Sequence, residues 1–306
     1  MTEYLKVSET AKRWGITSRR VRALCEEGRV DGVIRRGNLY MIPVDAEKPS
    51  DGRAVRAKAT FFELLETIDR KTEKLKKLRP LTEGEVERLR GEFMVEFTYN
   101  SNAIEGNTLT LQETAMVLEG ITIDRKPLKD HLEAIGHKDA FLFISHIAQK
   151  KIPLSESVIK QIHALVLMDR PDDRGVYRSI PVRIMGAFCE PVQPYLIEPK
   201  MNELMRADAE RKKTMHPVAR IALFHLEFEG IHPFIDGNGR TGRLVMNLEL
   251  MRNDYPTIDV KFLDRKKYYD AFDAWFRRGD PKAMQRLIAE YVNERLDGYL
   301  SILGGE

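Results

Sequence analysis

The chain has 306 residues, of which 42% are hydrophobic and 32% charged, and its mean hydropathy of −0.39 is that of an ordinary globular protein. This composition excludes a disordered chain, and no stretch approaches the roughly 18 to 20 apolar residues that a membrane span needs. Two cysteines exclude a disulfide scaffold and a four-cysteine zinc site. Because residues 1–9 lack the apolar core of a signal peptide, we expect a cytoplasmic protein with no membrane partner.

The charge is unevenly distributed along the chain. Residues 1–58 hold 13 Lys and Arg against 8 Asp and Glu, whereas the rest of the chain holds 37 against 39. The net charge of +3 therefore hides a basic N-terminal segment. Only this segment has the electrostatics of a nucleic-acid binder.

The N-terminal segment has the element order helix, glycine turn, helix and basic hairpin. Ser8 is the expected N-cap of the first helix, and Gly15 ends it. Thr17 or Ser18 caps the second helix, which runs to Gly28. Its expected buried face consists of Val21, Leu24 and Cys25. The alternating residues 33–43, with a turn at Gly37-Asn38, predict a small hairpin.

This order, together with "VSETAKRWGITSRRVRALCEEGRVDG" and "LYMIP", resembles the MerR and excisionase-like DNA-binding modules. The resemblance implies a winged helix-turn-helix domain over residues 1–46 that binds double-stranded DNA. The residues implied in DNA contact are Arg19, Arg20 and Arg22, at the major groove or its phosphates, and Arg35 and Arg36 on the wing, at the DNA backbone. The alternative is a basic cap domain that binds a protein or stabilises a dimer.

Beyond a polar linker assigned to residues 47–59, the pattern is mainly α-helical, and residues 60–306 form the second predicted domain. Capping motifs start helices at Thr82 and at Thr110. Further helical segments are predicted near 130–149, 155–168, 198–212, 216–230, 239–252, 264–277 and 281–301. The exception is about 176–197, which is rich in Val, Ile, Tyr and Pro and predicts an exposed hairpin.

Two of these helices, around 218–228 and 244–251, are apolar nearly all round, which predicts that they lie in the middle of the domain. We therefore interpret His225 as a core histidine. The loop between the two helices, residues 232–243, must then be fixed between buried elements. Its polar residues are candidates for chemistry because a rigid frame positions them.

The loop carries residue types that suit attack on a nucleotide polyphosphate. Gly237 and Gly239 at a helix start leave backbone N–H groups open to an anion. Asp236 is placed to hold Mg²⁺, which takes one or two carboxylates plus phosphates. His232 supplies an imidazole, a side chain that can accept a hydroxyl proton. Three further residues complete the set: Asn238 as a neutral side-chain donor, and Arg240 and Arg243, on one helix face, for neighbouring phosphates.

The string "HPFIDGNGRTGR" resembles the signature of the Fic (fido) family in every position, and the wider resemblance, with "GVYR" at 175–178 and "KKYY" at 266–269, covers roughly residues 60–280. It implies a Fic-type helical core and a protein AMP-transferase that uses ATP and Mg²⁺. His232 would be the general base and Asp236 the metal ligand. The implied nucleotide-binding residues are Gly237, Asn238 and Gly239 as the anion hole and Arg240 and Arg243 at the β- and γ-phosphates. Toxin kinases of the superfamily carry Lys in place of Gly239, so nucleotidyl transfer is favoured over phosphorylation.

The same resemblance assigns two further roles. The hairpin around 181–194 would be the flap that aligns the target, since an extended edge can bind a peptide through backbone bonds. The alternative is a surface hairpin with no role. Tyr268 or Tyr269 would pack on the adenine, and either could equally belong to the core.

An inhibitory element is expected just before the second capping motif. Residues 100–107 resemble the Fic inhibitory motif, with Ser101, Glu105 and Gly106 in its defining positions at the end of a helix over about 85–105. Glu105 would pair with Arg243 and take the place of the γ-phosphate. Family members with this glutamate can also remove AMP, with Glu105 orienting the water. The alternative is a helix C-cap with a solvated glutamate.

The sequence therefore predicts an autoinhibited AMP-transferase (AMPylation enzyme, a nucleotidyltransferase) with a DNA-binding module. Its target would offer a Ser, Thr or Tyr hydroxyl, and the protein could be its own target. One alternative is a transcription regulator whose Fic core is a nucleotide sensor, against which His232 argues because a sensor needs no base. Another is that AMP removal dominates. The oligomeric state stays open, with a homodimer as one alternative.

Overall fold

The computed structural model describes residues 4–26, 29–30, 32–36, 39–48, 52–184 and 190–304, with backbone alone for residues 36 and 52–59. The chain divides into two compact units, residues 1–62 and 63–306. Residues 52–59, which the sequence assigned to the linker, are helical.

The first unit contains a three-stranded antiparallel sheet and two helices. Its elements are β1 (Tyr4–Lys6), α1 (Val7–Trp14), α2 (Ser18–Glu26), β2 (Ile34–Arg36) and β3 (Leu39–Pro43). The central strand is β3, which pairs Ile42 with Leu5 of β1 and Met41 with Ile34 of β2. The predicted strands β2 and β3 are confirmed, whereas β1 was not predicted. The predicted turn at 37–38 lies outside the described residues.

Local capping explains where the two short helices begin and end. Gly15 has φ of 64° and ends α1, as predicted. The prediction of Ser8 as the N-cap is wrong, because α1 begins at Val7 and the Lys6 N–H donates to the Glu9 carboxylate at 2.8 Å. Thr17 Oγ1 accepts from the N–H of Arg20 at 3.3 Å, so Thr17 takes the capping role at α2. Gly28, the predicted end of α2, lies outside the described residues.

The second unit is helical, and its helices agree with the predicted segments to within a few residues. They follow the final part of α3 (Gly52–Lys77) and are α4 (Glu83–Ile104), α5 (Leu111–Leu118), α6 (Leu128–Gln149), α7 (Glu156–Val166), α8 (Ile197–Arg211), α9 (Pro217–Ile231), α10 (Asn238–Arg252), α11 (Arg265–Arg278) and α12 (Lys282–Ile302). Both predicted capping boxes, Thr82 with Glu85 and Thr110 with Glu113, are present. None of the described helices is both long and apolar enough to cross a membrane.

The two apolar helices, α9 and α10, form the centre of this unit, as predicted. They pack against each other; α10 also contacts α6 and α7, while α9 contacts α8 and α12. Almost all of their side chains are buried. The site loop is therefore anchored at both ends in the core.

The predicted hairpin at 176–197 is not found in the described part of that segment. Residues 176–184 and 190–193 form no strand, and residues 185–189 lie outside the description. Pro194 begins a short 3₁₀ turn that leads into α8. A high content of Val, Ile and Tyr favours extended backbone, but a strand also needs a partner for its N–H and C=O groups.

Candidate active site

The site is built on the turn between α9 and α10. His232 ends α9 in the left-handed region with φ of 51°, and Gly237 precedes α10 with φ of 72°. Between them the fully buried Phe234 ring stacks on the His163 ring of α7, with centroids 3.7 Å apart and planes 4° from parallel. This stacking anchors the middle of the loop in the core.

His163 is a neutral imidazole that ties the loop to its surroundings. Its Nδ1 faces the N–H of Gly175 at 2.9 Å and must accept, so its Nε2 donates to the Asp236 carbonyl at 3.0 Å. Burial lowers the pKa of His163 to about 4, which keeps this tautomer neutral at physiological pH. The backbone of Asp236 is thereby fixed.

Asn238 holds the loop together through its side-chain amide. Its Oδ1 accepts from the Phe234 N–H and its Nδ2 donates to the Phe234 carbonyl, both at 2.9 Å. The loop thus uses one of the two N–H groups of Nδ2, and donation from the Asn238 side chain to a ligand stays a prediction. The backbone N–H of Asn238 still belongs to the first turn of α10.

His232 lies at the cavity with a carboxylate behind it. Its Nδ1 is 3.6 Å from Glu229 Oε2, one turn earlier on α9, and both residues line the cavity. Burial raises the pKa of Glu229, but the neighbouring His232, His225 and Arg243 outweigh this and hold its pKa below the usual range. An ionised Glu229 favours a proton on the His232 Nδ1, which leaves Nε2 as the acceptor.

Arg243 is fully buried and held by α4. Its Nε donates to Ser101 Oγ at 3.0 Å, and its Nη2 donates to the Ser101 carbonyl at 2.8 Å and to Glu105 Oε1 at 2.7 Å. Burial opposes the charge on Arg243, but Glu105 reverses this effect and raises its pKa. The predicted ion pair between Glu105 and Arg243 is confirmed. The helix ends here, and Gly106 follows with φ of 95°.

The Glu105 carboxylate also lies directly against the start of α10. A Cβ added to Gly239 would meet Glu105 Oε1 at a distance too short for any real contact. Gly239 is therefore required for the close approach. The carboxylate lies beside the first turn of α10. The N–H groups and the helix dipole at such a helix start favour an anion.

Arg240 is likewise buried, but its guanidinium lies next to Glu133 and Asp236. Its Nη1 lies 3.0 Å from the Glu133 carboxylate of α6 and its Nη2 3.6 Å from Asp236 Oδ1. Glu133 also accepts from Asn107 Nδ2 at 2.9 Å. Arg240 is therefore fixed beside the loop through a carboxylate that is itself anchored.

Asp236 is the one carboxylate of the loop, and its side chain is 34% exposed. It accepts from the Gly237 N–H at 2.7 Å and has three more distant cations: Arg240 and Arg170, each at 3.6 Å, and Lys129 at 4.0 Å. Among the described residues, no group of three or more His, Cys, Asp or Glu side chains could hold a metal. The partly exposed Asp236 carboxylate is a hard oxygen ligand, and Mg²⁺ takes only one or two of these from a protein.

Part of the predicted site meets in one cavity of about 480 Å³. Its polar lining includes His232, Gly239, Arg243, Glu105 and Glu229, and its apolar lining includes Tyr269, Phe272, Phe276, Ile104 and Ile184. The predicted site residues Asp236, Gly237, Asn238 and Arg240 are not among the residues that line it. This is the size and composition of a small-molecule site, apolar with a few converging polar groups.

The two tyrosines differ in environment. Tyr268 is 1% exposed, and its hydroxyl lies 2.5 Å from His225 Nε2, so it is a core residue as well as a cavity wall. Tyr269 is 47% exposed and donates from its hydroxyl to the Ile104 carbonyl at 3.2 Å. His225 is buried, which confirms the interpretation as a core histidine, and burial lowers its pKa to about 4.

The arginines predicted to contact DNA lie in the first unit. Arg19 and Arg22 are exposed, three residues apart on one side of α2, and Arg20 is half-buried. Arg35 lies on β2 with its guanidinium 5.7 Å from the centre of the Tyr40 ring. Arg36 is the last residue of β2, and its side chain lies outside the description.

Sequence reasoning missed four residues of the site: Glu133, His163, Arg178 and Glu229. Glu229 could have been found, because it lies three residues before His232 on a predicted helix. Arg178 stands in the recognised "GVYR" string without a role. Glu133 and His163 meet the loop only through the packing of distant helices, and nothing local marks them.

Comparison with known proteins agrees with this site. Residues 153–250 match the family model described as Fic/DOC family, so the chain contains a Fic/DOC domain. The chain is 33% identical over 284 residues to a protein adenylyltransferase Fic of Nematostella vectensis, covering 88% of this chain and 65% of that one. It is 35% identical over 240 residues to the protein of the same name from Drosophila melanogaster, covering 77% and 48%. The chain thus spans between about half and two thirds of these relatives.

Two solved structures share the fold. A Fic-domain-containing signaling protein from Bacteroides thetaiotaomicron has a TM-score of 0.71 at 29% identity, covering 78% of this chain and 97% of that one. Fic-1 from C. elegans has a TM-score of 0.73 at 26% identity, covering 82% and 75%. The helical unit is therefore a Fic-type fold.

Proposed function

We propose that the protein is an autoinhibited AMP-transferase that moves AMP from ATP to a hydroxyl side chain of a protein target. The observation that carries this proposal is the position of the Glu105 carboxylate, which pairs with Arg243 and lies against Gly239 in the cavity that His232 lines. The names of the relatives support the reaction class.

The chemistry follows from the groups around the cavity. The neutral His232 imidazole takes the proton of the target hydroxyl through Nε2, while Glu229 stabilises the charge that develops on the ring. The hydroxyl oxygen attacks the α-phosphorus, the bond to the β-phosphate oxygen breaks, and pyrophosphate leaves. The N–H groups at the start of α10 and the guanidinium of Arg243 bind the phosphates. The half-exposed Tyr269 ring offers a face to the adenine.

Asp236 would hold Mg²⁺ together with the phosphates. Its exposed oxygen is a hard ligand of the kind that Mg²⁺ prefers, and the absence of a protein cage among the described residues agrees with a metal that arrives with the nucleotide. When bound, the ion neutralises phosphate charge. Arg170 and Lys129 lie close enough to Asp236 to orient its carboxylate.

Autoinhibition in this proposal is direct competition for one place. The Glu105 carboxylate neutralises Arg243 and occupies the anion position at Gly239, so the terminal phosphates of ATP cannot take the same ligands. ATP in a cavity with Glu105 in place would lie in an unproductive pose. Removal of the carboxylate frees both ligands at once.

The test is transfer of label from α-labelled ATP to protein, compared between the natural chain and Glu105→Gly. We expect the variant to transfer at least tenfold faster, a barrier change of about 1.4 kcal/mol. The matched control is Glu119→Gly, because Glu119 is also the C-cap of its helix and also precedes a glycine with positive φ, but it is exposed. The control should leave transfer unchanged.

The outcomes separate the alternatives. Equal labelling by the natural chain and Glu105→Gly would contradict the inhibitory role. Stronger nucleotide binding by the variant without any transfer would favour a nucleotide sensor. Faster release of labelled AMP from a modified target by the natural chain than by the variant would favour AMP removal as the main reaction.

We further propose that the first unit binds double-stranded DNA. Its support is the basic balance of residues 1–58 and the exposed positions of Arg19 and Arg22 on one side of α2, the helix that follows the glycine turn. The alternative of a protein-binding cap predicts no salt-dependent affinity for DNA. Measuring the affinity of the full chain for a DNA duplex at several salt concentrations tests the proposal.

A further inference from the structure

Arg178 connects to the site loop through backbone carbonyls. Its Nε donates to the His232 carbonyl at 2.8 Å and its Nη2 to the Ile231 carbonyl at 3.4 Å. Its own backbone N–H donates to the Pro233 carbonyl at 3.0 Å. Arg178 therefore binds the carbonyl groups of three consecutive residues, 231 to 233.

The same guanidinium reaches the two described ends of the segment that the sequence assigned to the flap. Its Nη1 donates to the Ile180 carbonyl at 3.0 Å and its Nη2 to the Val192 carbonyl at 2.5 Å. Residues 180 and 192 are twelve positions apart in sequence. One side chain therefore joins them to each other and to the site loop.

Arg178 is 5% exposed, and no described carboxylate lies within ion-pair distance of it. Burial without a counter-ion is unfavourable for the guanidinium, and it lowers the pKa of Arg178. The compensation comes from the carbonyls, since charged donors make stronger hydrogen bonds than neutral ones. The planar guanidinium has five N–H donors and can bind carbonyls that lie in several directions. An ammonium has three donors and no fixed planar arrangement.

The held backbone is strained. His232 has φ of 51°, in the left-handed region where a non-glycine residue is sterically strained. Such a conformation persists only where the surroundings fix it. The carbonyl contacts from Arg178, together with the bond from the His232 N–H to the Phe228 carbonyl at 2.9 Å, fix it from both sides.

We propose that Arg178 is a positioning residue that fixes the His232 imidazole at the cavity and ties the site loop to the backbone at residues 180 and 192. It touches no reacting atom; it acts through the carbonyl groups on either side of His232 and at residues 180 and 192. This inference rests on the proposed function, in which His232 is the base. A misplacement of about 1 Å in a reacting group can cost on the order of a hundredfold in rate.

The experiment compares Arg178→Met and Arg178→Lys in the Glu105→Gly background. The matched control is Arg174→Met, because Arg174 also donates to backbone carbonyls, those of Leu167 and Met168, but not to the site loop. Three quantities are measured: kcat for transfer of AMP from α-labelled ATP to protein, the Kd of ATP, and the imidazole NMR signals of His232. The melting temperature reports on folding.

We expect Arg178→Met to lower kcat by about 10- to 100-fold while the Kd of ATP stays within twofold, because the phosphate ligands are elsewhere. Arg178→Lys should recover part of kcat, since the ammonium can serve some of the carbonyls. The His232 imidazole signals should shift in both variants and stay in place in the Arg174→Met control. A merely structural role would instead lower the melting temperature and leave kcat of the folded fraction unchanged.

An unchanged kcat with unchanged His232 signals in the folded variants would overturn the inference. If Arg178→Met does not fold, Arg178→Lys is the test of the positioning role. Support for that role then requires that Arg178→Lys lower kcat at least threefold while the Kd of ATP stays unchanged. If the Glu105→Gly parent transfers no AMP, the proposed function fails. The positioning of His232 is still decided in that case, because its NMR signals do not depend on activity.

Discussion

Arg240 and Arg243 in the helical unit are about 1% exposed, whereas Arg19 and Arg22 in the N-terminal unit are exposed on one side of α2. The buried pair has carboxylates at 3.0 Å or less, held in place by their own hydrogen bonds or helix ends. Such contacts are short-ranged and little screened by salt. Exposed arginines act on a phosphate backbone through a field that salt weakens. Arginine thus has a fixed geometry in the helical unit, whereas in the proposed DNA-binding role of the first unit it would act through an attraction that salt weakens.

The comparison predicts how each region responds to change. In the site, a single substitution should strongly lower the transfer rate or the stability, and salt should change these little. In the N-terminal unit, a single substitution should lower the proposed DNA affinity only slightly, whereas salt should lower it strongly. Four predictions test this difference.

The largest effect is expected for His232. In the Glu105→Gly background, His232→Ala should lower the rate of transfer by about 10² to 10⁴ while the Kd of ATP with Mg²⁺ stays nearly unchanged, because other groups hold the nucleotide. Isothermal titration and single-turnover labelling measure the two quantities. Arg243→Ala is the contrasting variant and should weaken ATP binding as well as the rate. Retention of most transfer activity by His232→Ala would remove the assignment of His232 as the base.

The second prediction concerns packing behind the site. A Cβ added to Gly242 would lie 2.7 Å from Glu229 Oε1 and 2.8 Å from His225 Nδ1, both in the core of the unit. Gly242→Ala should therefore lower the free energy of unfolding by about 1–3 kcal/mol. The control is Gly91→Ala within α4, where a Cβ meets nothing within 4 Å, and it should stabilise by roughly 0.5–1 kcal/mol. Urea titration of both variants checks the opposite signs; equal stability of the two would contradict this account.

The sequence predicted these helices well because their signals are local. The capping boxes at Thr82 and Thr110 lie within four residues, and the apolar pattern of α9 and α10 repeats at helical spacing. The motif loop was likewise identified from twelve consecutive residues. The pairing of Glu105 with Arg243, 138 positions apart, came from the family resemblance and not from any local pattern.

The features that the sequence did not predict are contacts between residues that only the folded chain brings together. The Asn238 amide suits an anion as well as the Phe234 backbone, and only the folded turn brings it to that backbone. Glu133 reaches Arg240 from another helix, and β1 forms only because β3 is beside it. Residues 176–184 have the composition of a strand and form none, and composition alone does not tell whether a segment finds the partner strand that its backbone groups need.

The third prediction is a loss of stability in acid that originates at buried histidines. Burial lowers the pKa of His163 to about 4, against roughly 6.5 in the unfolded chain. The unfolded chain therefore binds more protons between these values, so this contribution is complete above about pH 6.5 and is lost as the pH falls towards 4. The expected slope is at most about 1.4 kcal/mol per pH unit for each such histidine.

His163→Gln tests this, because the glutamine amide can still donate to the Asp236 carbonyl but does not titrate. The variant should lose less of its melting temperature between pH 6.5 and 4 than the natural chain. Asp259, whose pKa burial raises to about 6, acts in the opposite direction over part of this range and is unchanged in both proteins. His146→Gln, at an exposed position of α6, is the control and should keep the natural slope. Identical slopes for all three proteins would show that His163 does not contribute.

The smallest effect is expected in the N-terminal unit. If Arg19 and Arg22 each neutralise a phosphate, Arg19→Ala with Arg22→Ala in the full chain should reduce the slope of log K against log salt by about 2 and weaken DNA binding by no more than about tenfold at 0.15 M salt. Lys200→Ala with Lys213→Ala removes the same charge from exposed positions of the helical unit and should change neither. Fluorescence anisotropy with a duplex measures both. An equal loss from both pairs would indicate a general charge effect, and no binding by the natural chain at low salt would favour a protein-binding cap.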